Sequence, residues 1–211
     1  QSGSYTGKRM SGEEITLQFT SLPGLKIGDS EFEDTRVGVV GLFESLPESL
    51  GRIDGAISLR FLEKTKFTID YVSSTVTFND SASTTGTAVP LKIERDEEKT
   101  MAFVQMKDAG LFEVDTGNST AVLNLSKAEL FQVDLEAKDV KKVEGKNETG
   151  FPFVAYYTSV SELQTQTGGV SHKSPNVAFK KLIHDGVIGN NFFKGRIVTF
   201  DIPNRQMIFK R

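Results

Sequence analysis

The chain repeats itself. Asp54-Gly55 recurs as Asp185-Gly186, Ile57 as Ile188, Phe61 as Phe192, Thr68 and Asp70 as Thr199 and Asp201, and Phe78 as Phe209. Every pair is 131 positions apart. A run of matches at one offset without a gap is the mark of a duplicated unit, so the chain holds two copies of one architecture. Residue types say which kind. Sixteen phenylalanines, 19 glycines and many Val, Ile and Thr favour strands joined by tight turns. Ile15, Leu17 and Phe19 alternate with Thr16 and Gln18, the period of a half-buried strand. The expected fold class is all-β, in two lobes. A Ser/Thr/Gly-rich break from Asn79 to Thr87 predicts a first lobe over 1–80, a hinge over 81–88 and a second lobe over 89–211.

One stretch of the second lobe stands apart chemically. Leu111, Phe112 and Val114 form an apolar strand that ends in Asp115-Thr116-Gly117, and Ala121-Val122-Leu123 resumes the strand pattern beyond it. A carboxylate at the end of an apolar strand loses water and needs a hydrogen bond or a partner charge. Thr116 offers a hydroxyl, and Gly117 both permits a tight turn and leaves room for a ligand. Taken alone, the tripeptide is also compatible with an ordinary turn closing a strand.

Phe112 to Ser119 resembles the active-site strand and loop of aspartic peptidases of the pepsin and retropepsin type. Val187-Ile188-Gly189, within His184 to Phe193, resembles the hydrophobic-hydrophobic-Gly element that packs beside that loop. Ile197 to Asp201 and Gln206 to Phe209 are similar to the closing hairpin of bacterial members. The resemblance implies two pepsin-like β-barrel lobes with a cleft between them. It makes Asp115 a catalytic acid, with Thr116, Gly117 and Asn118 supporting its loop. Gly145, Lys146, Asn147 and Gly150 would belong to a flap over the cleft. Asn118 departs from the Ser, Thr or Ala usual after the glycine. Ser58 replaces the glycine of the hydrophobic element in the first lobe, where Ile57 and Ile188 are expected in equivalent buried places.

The chemistry implied is peptide-bond hydrolysis by water, with no cofactor and no metal. Two carboxylates share one proton: one acts as base on the water, the other polarises the substrate carbonyl. No second Asp-Thr-Gly or Asp-Ser-Gly occurs, and Asp34-Thr35-Arg36 lacks the glycine. At the repeat offset the counterpart of Asp115 falls before Gln1. The first lobe is thus expected to be incomplete on its N-terminal side, with the missing acid on a segment on the order of 15 to 25 residues upstream. That segment is itself a possible partner, beside a peptide or protein substrate. A second reading is a catalytically silent relative that binds a peptide or glycan in the cleft, and a third is a homodimer pairing two copies of Asp115.

Composition excludes other classes. A net charge of −3 leaves no basic surplus for phosphate contacts and argues against a nucleic-acid partner. No apolar run is long enough to span a bilayer. There is no cysteine, hence no disulfide or thiolate chemistry. His172 and His184 are read as solvated or hydrogen-bonded side chains, not ligands. The resemblance favours a secreted or cell-envelope setting.

Local signals complete the reading. Leu22-Pro23-Gly24 is expected to turn the chain, and Pro47 to open a short helix. Ser126 and Glu129 have the spacing of a capping box, and the charged run Lys138 to Lys146 reads as a solvated loop.

Overall fold

The structure, a computed structural model, describes residues 3–39, 41, 53–78, 85–96, 98–147 and 149–210. The expected helix at Pro47 lies outside the described residues, as does the first half of the expected hinge; its last two residues, Thr87 and Ala88, already belong to a strand. The protein is all-β. It divides into two compact units, Gln1–Ala56 with Lys146–Pro152, and Ile57–Gly145 with Phe153–Arg211.

The first unit is built on an antiparallel sheet of β1 (Ser4–Lys8), β2 (Glu14–Ile27) and β3 (Ser30–Val39). The chain does not turn at Leu22-Pro23-Gly24. β2 runs straight through, and the reversal comes at Gly28, whose φ of +58° suits glycine. Proline is tolerated because β1 pairs only with residues 14 to 18 of β2, so at Pro23 the strand has β3 alone beside it. Ile15, Leu17 and Phe19 do face inward, although Phe19 alone is fully buried among the unit's described apolar residues. The Arg36 guanidinium lies 4.1 Å from the centre of its ring.

The second unit contains α1 (Leu59–Leu62), β4 (Lys66–Asp70), β5 (Thr75–Phe78), β6 (Thr87–Arg95), β7 (Thr100–Met106), β8 (Gly110–Val114) and β9 (Ala121–Asn124). β10 (Lys141–Lys146), β11 (Pro152–Ser159), β12 (Glu162–Gln164), β13 (Ser171–Lys173), β14 (Asn176–Lys180), β15 (Gly186–Ile188), α2 (Asn190–Phe193), β16 (Ile197–Asp201) and β17 (Gln206–Phe209) follow. All its strands but β12 and β13 join one sheet in the order β10-β11-β14-β9-β15-β8-β7-β6-β17-β16-β4-β5. The run expected to be a solvated loop is in part the edge strand β10, kept soluble by charges such as the Lys142–Glu144 pair at 2.8 Å. Near Ser126 a 3-10 turn forms over Leu125–Lys127. Its cap is Asn124, whose side-chain oxygen accepts from the Ser126 N–H, and no capping box from Ser126 is built. The core is aromatic: Phe112, Phe179, Phe192 and Phe193 are fully buried, with Phe193 stacked on Phe209 and set edge-on to Phe200.

The repeat is structural, element by element. α1, β4 and β5 coincide at the 131-residue offset with α2, β16 and β17. Phe67 pairs with Phe78 as Val198 pairs with Phe209, and the turn residues Ser74 and Arg205 share a left-handed backbone, φ 58° and 54°. In each copy an aspartate, Asp70 or Asp201, accepts backbone N–H bonds within the turn. The two copies meet: β4 and β16 pair antiparallel, with Thr68 opposite its own equivalent Thr199. Their hydroxyls are 2.8 Å apart in the core, on a local twofold axis.

One equivalence fails. Ile188 is fully buried on β15, whereas Ile57 is 52% exposed on an irregular segment. β15 is buried because β8 and β9 flank it on both sides. Among the described residues, nothing flanks residues 55 to 57 in that way.

Candidate functional site

Asp115 sits where β8 ends, at the start of a loop that returns as β9. The two strands are not hydrogen-bonded to each other; β15 runs between them, parallel to β8 and antiparallel to β9. Gly186, Val187 and Ile188 face Phe112, Glu113 and Val114 across the ladder. The Asp115 N–H continues it by donating to the Ile188 carbonyl at 3.1 Å, and the Asn124 N–H closes the far end on the Asp185 carbonyl at 2.9 Å. The loop is thus laid over a strand that arrives much later in the chain.

Beyond β15, Gly189 passes under the loop. A Cβ there would lie 2.4 Å from the Asn118 carbonyl oxygen and 2.9 Å from that of Thr120. Carbonyls of the same loop receive N–H donors from the start of α2: Asn190 donates to Asn118 at 2.7 Å and Asn191 to Ser119 at 3.1 Å. The Asn191 side chain adds a brace, its oxygen accepting from the Ala121 N–H at 3.0 Å. At the equivalent of Gly189, Ser58 caps α1, its hydroxyl oxygen accepting from the Phe61 N–H at 3.4 Å. Among the described residues no strands flank that position as β8 and β9 flank β15.

The carboxylate itself is half-buried and oriented by its own loop. One oxygen accepts from the Gly117 N–H at 2.8 Å and the other from the Asn118 amide at 2.5 Å. Asn118 therefore supplies an outer hydrogen bond. A Cβ on Gly117 would approach Asp115 Oδ1 to 3.0 Å, so the glycine keeps that oxygen uncrowded. Thr116 is exposed. Such a fixed, partly solvated carboxylate is oriented to act on a bound water or a carbonyl.

The layer beneath carries charges that sequence patterns did not single out. Asp185 accepts from the Leu111 N–H at 2.9 Å and pairs with Lys127 at 2.7 Å. Burial alone would raise its carboxyl, but the Lys127 and Leu111 contacts outweigh this and hold it below the usual range. Gly110 makes room for it, since a Cβ would fall on the Asp185 carboxylate. On the neighbouring strand position, Glu113 is mostly buried and stands 3.6 Å from His184 Nε2. Burial pushes the Glu113 carboxyl up; the charges of Asp115 and Glu94 add to the effect, and Lys99 opposes it. His184 is pushed down, by burial and then by Lys99. The repeated Asp-Gly at 54 and 185 was the available signal for Asp185; nothing in the spacing marked Glu113 or Asn191.

The structure thus brings Asp115, Thr116, Gly117 and Asn118 together with Val187, Ile188 and Gly189. Gly145, Lys146, Asn147 and Gly150 lie elsewhere, at the tip between β10 and β11. There the Asn147 side-chain oxygen accepts from the N–H groups of Thr149 and Phe151, and Gly150 has φ +80°. Asn147 Nδ2 donates to Glu13 at 2.8 Å, and Thr149 Oγ1 donates to the same carboxylate. Two cavities of the second unit, about 750 and 380 Å³, share Thr120 and Asn176 in their walls; Asp115 lines neither. Among the described residues no group of three or more His, Asp or Glu is placed to hold a metal ion, and no helix is long and apolar enough to cross a membrane.

No protein-family model matches this chain, and no curated protein matches it. Solved structures do. Basic 7S globulin from soybean superposes with a TM-score of 0.52 at 12% identity, over 98% of this chain and 71% of that one. A structure titled edgp gives 0.46 at 13% identity, over 98% and 73%. A retropepsin-like aspartic protease from Rickettsia conorii gives 0.37 at 13%, over 58% of this chain and 87% of its own. At such identities the likeness to the soybean globulin establishes the pepsin-like fold and nothing about activity.

Proposed function

We propose that this chain carries one half of an aspartic peptidase site, with Asp115 as one of two catalytic carboxylates. The observation that carries the reading is the loop itself: a carboxylate held by two of its own loop's N–H donors, at the end of one strand and above another threaded beneath it. Burying a glycine under loop carbonyls and spending Asn191 on the loop's return secures the position of one acid. In the reaction, one carboxylate takes a proton from water as the oxygen attacks the scissile carbonyl carbon. The other gives its proton to the carbonyl oxygen. Collapse of the tetrahedral intermediate then breaks the C–N bond, with the proton passing to the departing amine. One acid cannot fill both roles, so we assign the second to a segment outside these 211 residues. The substrate class is peptide or protein.

A second reading has its own observation. Among the described residues no second carboxylate forms a dyad with Asp115, which is what a silent module holding a peptide or glycan would also show.

The deciding experiment compares three proteins on a mixed peptide library from acid to neutral pH. These are the 211-residue chain, the full gene product with any upstream sequence, and that product carrying Asp115→Asn. The expected result is cleavage by the second alone, strongest in acid, with the variant down by about 10³-fold or more. Equal cleavage by wild type and variant would place the chemistry elsewhere. Saturable peptide binding without cleavage would establish the silent module.

A further inference from the structure

The smaller cavity of the second unit, about 380 Å³, is lined by Thr120, His172, Asn176, Asn191, Lys194 and Arg196 among others, and no Asp or Glu is in its wall. Its two cations come from the turn that follows α2, where Gly195, at φ +73°, lets the chain reverse between them. Four other lysines of this unit sit on acids: Lys92 on Glu94, Lys127 on Asp185, Lys142 on Glu144 and Lys173 on Glu162. Among the described residues no carboxylate pairs with Lys194 or Arg196.

Arg196 is already fixed. It donates from Nη2 to the Ser171 carbonyl at 2.5 Å, and its guanidinium lies 6.0 Å from the centre of the Phe209 ring. Its remaining N–H donors need little further ordering to meet a ligand. His172, on the strand that carries Ser171, has a buried Nδ1 with no hydrogen-bond partner. Burial and then the Arg196 charge push its imidazole toward the neutral form. Asn191 is occupied, bonded to the Ala121 N–H and the Asn176 carbonyl, so it shapes the wall without being available to a ligand.

We propose that this cavity binds a small ligand through an oxyanion group, a carboxylate or a phosphate, with Lys194 and Arg196 supplying the charge and Thr120 a hydrogen bond, beside the His172 ring. Both groups present planar or tetrahedral oxygens that suit a guanidinium fork and an ammonium together. The site is independent of Asp115 chemistry and stands whether or not the chain takes part in hydrolysis. A bound anion opposes the Arg196 charge at His172, so it favours the imidazolium and raises that side chain's proton affinity.

The test titrates the 211-residue chain with inorganic phosphate, and separately with succinate, each at constant ionic strength made up with sodium chloride. The readout is the imidazole resonances of His172, with His184 as internal reference. The expected result is a saturable shift at His172 alone, and saturation by one anion and not the other names the source. Lys194→Gln, at an exposed position that leaves the Arg196 anchor intact, is expected to weaken binding about tenfold by removing one charge-assisted bond. A shift that fails to saturate with either anion, or an affinity unchanged in Lys194→Gln, would overturn the proposal.

Discussion

Gly189 has ordinary extended backbone angles, φ −114° and ψ −166°, so conformation does not require its glycine. Space does. Two loop carbonyls occupy the volume a methyl would need, and both are backbone atoms that cannot swing aside. Gly189→Ala is expected to cost about 2–3 kcal/mol in a denaturant melt, an overpacking penalty, while Ser58→Ala at the equivalent place loses only a helix cap, about 1 kcal/mol. Equal costs at the two positions would refute the crowding argument. Glu113 tests the layer beneath. Its raised carboxyl means that the folded state holds the proton more tightly than the unfolded state does. Stability therefore falls as pH rises through that interval. Glu113→Gln is expected to raise the melting temperature at pH 7, with the gap closing toward pH 4. A lower melting temperature at pH 7 would show instead that His184 holds the carboxylate as an ion pair.

Matched elements make the repeat a testable energetic unit. Thr68 and Thr199 are equivalents that bond to each other in the core, so each Val substitution is expected to cost about 1 kcal/mol. The double variant should cost clearly less than the sum, and strict additivity would mean that the hydroxyl pair contributes nothing as a pair. The element scale is also where the sequence was most legible. Two short helices and two hairpins fall at the expected offset because a duplicated sequence keeps its local turn chemistry: Asp70 and Asp201 direct the same turn with the same left-handed residue. What failed was set by neighbours distant in sequence. Ile57 has the pattern of Ile188 but not the flanking strands, and Pro23 could sit within β2 because β1 had already ended. The cap at Leu125 went to Asn124, one candidate among several adjacent polar residues. At the site, Asp115 and the Gly189 element were readable from their motifs. Asn118's bond, Asn191's brace and Asp185's anchoring of Leu111 depend on distances that no spacing rule contains.

The two units differ in how much apolar surface they bury. The second has an aromatic core with many side chains fully out of water, whereas Phe19 is the one fully buried apolar residue described in the first. Amide exchange should reflect this, since local opening is easiest where few apolar contacts are lost. Amides of β2 and β3 are expected to exchange well before those of β7, β9 and β15, measured by mass spectrometry under native conditions. Comparable protection in β2 would show that its sheet is covered by more than the described residues. The strand threaded under Asp115 has a further consequence, for biosynthesis. A ribosome delivers Leu111 to Asn124 first, and the slot between β8 and β9 stays open until Gly186 to Ile188 emerge. A nascent chain, or a product of premature termination before Gly186, therefore carries the Asp115 loop without the strand that positions it. It also exposes two strand edges that any stray segment can occupy, so the interval before release is when this protein is most open to misassembly.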